Sequence, residues 1–366
     1  MSVTVQEAGL PVVTYALLIT IVAVFIAEHL YPIGPWSGPL APNILTLLAW
    51  GGLNRDLVFQ SGEWYRLFSA ALLHSDLFHL IFNGVALYFA GAVLEPLVGR
   101  AWFFALFALG ALSGSLMSLA VNPPTMVSVG ASGAIMGLLT AAFVCSFRFP
   151  SGGARTRIQM ILLQVLIPSL IPIAISRTGH DIDFAAHIGG ALNGGLLGLA
   201  LLKIWPAADP LPRFSGLAAT VSAAGVLAFA LAFVPVKQQR ETYALELLLI
   251  PNDQLPQSSA DRRSRSEELV ARYPRDPRSR MFRASALFDA RDLVGAEREL
   301  RAGLGEEKIL KTKFSPDFEV RLRTMLALVL FERGQLTEAK KEAKPVCASS
   351  AFNAVRDTLN NYRLCE

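Results

Sequence analysis

Seven apolar runs, at residues 12–27, 77–98, 101–121, 132–147, 158–175, 184–202 and 214–234, constrain this chain more than any other feature of its sequence. Most approach the roughly 20 residues that a helix needs to cross a hydrocarbon core. Backbone polar groups find no water in lipid, so a spanning segment must satisfy them within itself, as a helix does. The expectation is an all-α polytopic membrane protein with seven helices in its first 236 residues. A mean hydropathy of +0.44 agrees, as does a hydrophobic content of 53%. Charge divides the chain at the same place: of 33 Lys and Arg and 29 Asp and Glu, only nine of each precede residue 237. Residues 237–366 therefore read as a soluble, charge-rich domain.

The net charge of +4 does not point to nucleic acid, because basic residues alternate with acidic ones and form no stripe. Cys145, Cys347 and Cys365 lack metal-ligand spacing, so no metal or other cofactor is expected. The N-terminus has no basic n-region, and the first run reads as a retained span. Arg100, Arg148, Arg155, Arg157, Lys203 and Arg213 fall in loops on one side of an alternating topology. By the positive-inside rule that side is the cytoplasm. The protein then sits in the cell (inner) membrane with a cytoplasmic N-terminus and an external C-terminal domain. Export would allow Cys347 and Cys365 to pair. The loop over residues 30–66 carries Pro32, Gly34, Pro35, Trp36, Trp50 and Trp64 and reads as partly embedded.

Polar side chains at membrane depth are costly and mark function. Ser132 opens the shortest run and His187 stands near the head of another, 55 residues later. A short run suits a helix that starts inside the membrane under irregular backbone, within reach of water. Gly133, Gly137 and Ala141 form a small-residue stripe on one helix, and Gly190, Gly194 and Gly198 form the same stripe on the other. Facing stripes would let the backbones approach closely and bring Ser132 level with His187, as a nucleophile and its base require. The glycines alone are explained as well by ordinary helix packing. His74, His79 and Asn83 open the second span, with His79 and Asn83 on one helix face. Each, taken singly, is explained by packing. Together they offer donors to a developing oxyanion, as does the N–H of Ser132 at a helix start.

Three segments carry a resemblance: Gly130-Ala-Ser-Gly-Ala-Ile-Met-Gly137, His74-Ser-Asp-Leu-Phe-His79-Leu-Ile-Phe-Asn83 and Ala186-His-Ile-Gly-Gly-Ala-Leu-Asn-Gly194. In order and spacing they resemble the rhomboid family of intramembrane serine proteases, over about residues 10–205. The resemblance implies a six-helix core at 1–205, with 206–236 as an added seventh transmembrane helix. It also implies a Ser-His dyad in which Ser132 is the nucleophile and His187 the general base and then acid. His79 and Asn83 match the family's oxyanion residues, joined by the Ser132 N–H. The implied activity is cleavage of transmembrane segments of other membrane proteins through an acyl-enzyme. Helices with small or helix-destabilising residues are the implied substrates, and the fifth span with residues 177–183 the gate. A catalytically silent rhomboid-like scaffold, recruiting clients through the tail, is the alternative. Tyr65-Arg66 and Glu95 with Gly99 match structural motifs of the family. Tyr65 stands where many members have Trp, and Met136 where many have an aromatic ring against the imidazole; activity is expected to survive both. Asp183, His29 and His180 are expected to be solvated, although Asp183 lies one turn before His187 and could orient it as in a triad.

In the tail, Ala284 and Ala296 are twelve apart, as are Ala327 and Ala339, and the segments at Leu287-Phe288 and Leu330-Phe331 superpose at an offset of 43. This resembles tetratricopeptide-type helical hairpins, with an insertion over 308–316 and an earlier hairpin ending at Tyr273-Pro274. Such repeats imply a protein or peptide partner for the tail; the alternative is a plain helical extension with no ligand.

Overall fold

A computed structural model describes residues 10–34, 38, 40–171, 182–348 and 353–365. The chain divides into two compact units, Met1–Arg240 and Glu241–Glu366. The expected division at 236–237 falls inside a helix, because the charged residues beyond it continue the same helical run.

The first unit contains α1 (Val12–Leu30), α2 (Ile44–Ala49), α3 (Arg55–Phe59), α4 (Arg66–Ser69), α5 (Leu77–Val98), α6 (Arg100–Val121), α7 (Ser132–Cys145), α8 (Gly153–Leu170), α9 (Phe184–Ile204), α10 (Ser215–Ala232) and α11 (Val236–Glu246), the last crossing into the second unit. Each of the seven apolar runs contains a helix. Among the described residues, five helical segments are long and apolar enough to cross a membrane: α1, α5, α6, α9 and the segment from Ser215 through α11. The helix at Ser132 is shorter, and α8 falls outside that group. Large apolar side chains such as Ile19, Phe82 and Leu196 are exposed on the outer faces of α1, α5 and α9, as a lipid-facing surface requires.

Helix α7 lies inside the unit, packed by α5, α6, α8 and α9. Ten of its fourteen residues are buried, so a short helix with an irregular approach is tolerated there. Two polar devices hold the surroundings. Glu95, on α5, accepts from the backbone N–H of Val13 and Thr14, both at 2.9 Å, and from the Thr14 hydroxyl at 2.7 Å. It thus caps α1, whose own N-cap, Pro11, supplies no side-chain bond. The fully buried Arg66 donates to the carbonyls of Leu48 and Gly52 at 2.7 Å and pairs with Glu63, pinning the loop between α1 and α5.

The second unit contains α12 (Ser259–Ser264), α13 (Ser266–Arg272), α14 (Pro277–Asp289), α15 (Leu293–Gly305), α16 (Glu307–Lys313), α17 (Pro316–Glu332), α18 (Leu336–Cys347) and α19 (Asn353–Asn361). Helices α14 and α15 pair, as do α17 and α18. Ala284, Ala296, Ala327 and Ala339 are all fully buried between them. The offset of 43 extends to bonds. Arg280 to Glu299 across one hairpin repeats as Arg323 to Glu342 across the other, and the corner bond from Asp292 N–H to Leu287 O repeats from Gln335 to Leu330. The expected insertion is the helix α16, anchored by buried Ile309 and Leu310. No full hairpin precedes α14, since a single residue, Arg265, separates α12 from α13. Cys347 and Cys365 form a disulfide.

Candidate active site

The two glycine stripes meet. A Cβ built on Gly133 would lie 3.1 Å from the Ala186 carbonyl oxygen, and one on Gly137 would lie 3.0 Å from that of Gly190. Added carbons at Gly190 and Gly194 would overlap the carbonyl oxygens of Gly133 and Gly137. Only hydrogen fits at Gly190 and Gly194, and a carbon at Gly133 or Gly137 would be a tight contact, so α7 and α9 run backbone to backbone. Ser132 and His187 consequently stand in the first turns of two touching helices. No hydrogen bond joins their side chains in this structure; such contacts are often longer before substrate arrives.

His187 is 8% exposed. Its Nδ1 lies 2.8 Å from the backbone oxygen of Ser169. A carbonyl can only accept, so Nδ1 carries a proton, and in the neutral ring Nε2 keeps the lone pair. Ser169 is next to last in α8, where carbonyls lack partners within the helix. This contact belongs to backbone, and no side-chain pattern could have announced it. The aromatic ring near the imidazole is Phe184, at 6.1 Å between centroids, on His187's own helix. Met136 is buried on α7.

His79 and Asn83 converge on Gly130. A Cβ there would lie 2.7 Å from His79 Nε2 and 3.4 Å from Asn83 Nδ2. Gly130 has φ +125°, a conformation costly to any other residue, and its N–H donates to the Ala70 carbonyl at 2.9 Å. The Ser132 N–H, among the first donors of α7, has no acceptor within its own helix. Two side-chain nitrogens thus lie against the backbone just before Ser132. Asn83 Nδ2 lies 3.1 Å from Nε2 of the buried His74. The Ser75 hydroxyl is 3.0 Å from both His79 Nδ1 and Asp76 Oδ2. The carboxylate can only accept, whereas Nδ1 of His79 either accepts the hydroxyl proton or, when that proton goes to Asp76, donates to Ser75 Oγ. Given to His79, the hydroxyl proton leaves Nε2–H directed at Gly130.

Asp183 is not solvated, contrary to the expectation from its place at a helix start. It is 8% exposed, caps α9 through the Ala186 N–H at 2.8 Å, and accepts from Asn122 Nδ2 at 2.8 Å and the Ser128 hydroxyl at 2.5 Å. His187 Nδ1 is taken by Ser169, so Asp183 does not complete a triad. His29 is half-buried, with Nδ1 2.8 Å from the Phe25 carbonyl oxygen, again contrary to expectation. His180 and most of the proposed gate, residues 177–181, lie outside the described residues. Among the described residues, no three His, Cys, Asp or Glu side chains group as metal ligands would.

The Rhomboid domain family matches residues 61–204. Over 143 residues the chain is 32% identical to a putative rhomboid protease, YdcA, of Bacillus subtilis, covering 39% of this chain and 69% of that one. The chain belongs to the rhomboid family. Another Bacillus subtilis relative, the rhomboid protease GluP, is 32% identical over 43% of this chain and 30% of its own length. The rhomboid protease AarA of Providencia stuartii is 29% identical over 58% of this chain and 80% of its own. Three of the curated relatives are matched over only 30–52% of their lengths. The matched rhomboid region contains Ser132, His187, His79 and Asn83.

Proposed function

We propose that this rhomboid is an intramembrane serine endopeptidase that cleaves transmembrane segments of other membrane proteins near the non-cytoplasmic face. The observation that carries the reading is the bond from His187 Nδ1 to the Ser169 carbonyl, which leaves Nε2 as a base beside the helix that begins at Ser132. Ser132 Oγ attacks the scissile carbonyl while His187 Nε2 takes its proton. The resulting oxyanion is held by the Ser132 N–H, His79 Nε2–H and Asn83 Nδ2–H, each such donor lowering the barrier by about 3–4 kcal/mol. The imidazolium then returns its proton to the leaving amine, and an acyl-enzyme remains on Ser132. Water activated by the same Nε2 releases the second product.

The seven apolar helices are proposed to cross or enter the bilayer with the N-terminus cytoplasmic and the tail external. The Cys347–Cys365 disulfide supports that placement, since such bonds persist outside the cytosol. The tail is proposed to be a tetratricopeptide-like array that recruits a protein or peptide, supported by the repeated ion pairs and corners at an offset of 43.

A fluorophosphonate probe tests the chemistry. The wild-type protein is labelled and Ser132→Ala is not. Absence of both labelling and substrate cleavage in folded wild-type protein would favour the silent scaffold instead.

A further inference from the structure

We propose that Asp183 is a positioning residue that sets the height of Ser132 against His187, an inference that rests on the proposed protease reading. The glycine seam between α7 and α9 fixes how closely these helices approach. Further along the seam the side chains of Thr140 and Val144 on α7 lie against Gly195 and Gly198 of α9, whereas at the first turns Gly133 and Gly190 meet backbone alone. A side-chain tie at the first turns would hold their level.

The Asp183 carboxylate joins the pieces that need holding. One oxygen accepts from the Ala186 N–H, inside the first turn that carries His187, and from Asn122 Nδ2, at the end of α6. The other accepts from the hydroxyl of Ser128. Ser128 is itself immobilised by two backbone bonds with Leu53, both 2.9 Å, from the pinned first loop. Asp183 precedes His187 by four residues and Ser128 precedes Ser132 by four. The bond between them therefore joins the two approaches at the same sequence separation from Ser132 and His187. Buried carboxylate bonds of this kind are strong, and removing one partner leaves a buried charge short of donors. The geometry needed for proton transfer is demanding enough that a displacement of about 1 Å costs on the order of 10²-fold in rate.

The experiment uses the full chain reconstituted in proteoliposomes. Cleavage kinetics of a transmembrane substrate and fluorophosphonate labelling rates are measured for wild type, Asp183→Ala, Asp183→Asn, Ser128→Ala and the Asp183→Ala/Ser128→Ala pair. Hydrogen exchange at residues 127–135 and 184–188 is followed in the same proteins. The expected result is a kcat loss of roughly 10- to 100-fold in Asp183→Ala with KM changed less than twofold. Ser128→Ala shows a smaller loss of the same kind, Asp183→Asn recovers part of it, and the double variant is no slower than Asp183→Ala. Exchange quickens in both segments together. A wild-type labelling rate in folded Asp183→Ala, additive losses in the double variant, or exchange that quickens only in 184–188 would overturn the proposal. If wild type is not labelled at all, the protease reading fails, and coupled exchange still decides whether the clamp exists.

Discussion

Ser132 and His187 are held by different means. Ser132 is placed by backbone: the left-handed turn at Gly130, its bond to Ala70, and the glycines that follow. His187 is placed by its side chain, through the carbonyl of Ser169. The proposed donor role of His79 Nε2 requires the tautomer in which Ser75 gives its proton to Nδ1 rather than to Asp76. Ser75→Ala removes the group that sets the His79 tautomer, and kcat is expected to fall by up to about 10²-fold, the value of one oxyanion donor, at unchanged KM. Steady-state cleavage measures this, and full activity would show that Ser75 does not control the proton. Ser132, His187, His79 and Asn83 could be nominated from the sequence because the chemistry proposed for them lies in side-chain identity and spacing. Ser169 could not, because a carbonyl looks the same in every residue. Asp183 was misread because a carboxylate at a helix start suits solvent as well as burial, and only its neighbours decide.

Among the helices, α1 depends most visibly on a distant residue. Its first N–H groups end on Glu95, about eighty positions away. Glu95→Gln keeps the shape but replaces a charged acceptor and turns one oxygen into a donor facing N–H groups. Stability is expected to fall by about 1.5–3 kcal/mol, the worth of hydrogen bonds to a charged group, read as a lowered midpoint of thermal unfolding in detergent. An unchanged midpoint would mean that lipid-facing packing alone holds α1. The apolar runs located every long helix of the membrane unit, since the bilayer leaves few alternatives. Their ends were less legible: α1 continues to Leu30 through Glu28 and His29, which read as polar loop residues until the burial of Glu28 is known. In the tail, the spacing of Ala284, Ala296, Ala327 and Ala339 foretold two packed hairpins. It did not foretell α16, whose short Ile309-Leu310 core carries no period of its own.

The chain as a whole joins a charge-poor unit to a charge-rich one, and the side of the membrane on which the second resides decides its chemistry. Cys347 and Cys365 close a loop with a sequence separation of 18, a constraint worth about 3 kcal/mol to a domain of this kind. Alkylation of intact cells with a permeant maleimide is expected to leave both cysteines unmodified unless reductant is added first. Ready modification without reductant would place the tail in a reducing compartment and reverse the proposed orientation.

Sequence alone determined that the chain enters a membrane, where its helices run, and which four polar side chains carry the candidate chemistry. Those features are local, written in hydropathy, period and residue type. Only the tertiary structure decided that the glycine stripes face each other, that Ser169 holds the imidazole, and that Asp183 ties the approach to Ser132 to the helix of His187. These are contacts between residues distant in the chain, made in part by backbone atoms that every residue shares, and they exist only once the helices have packed.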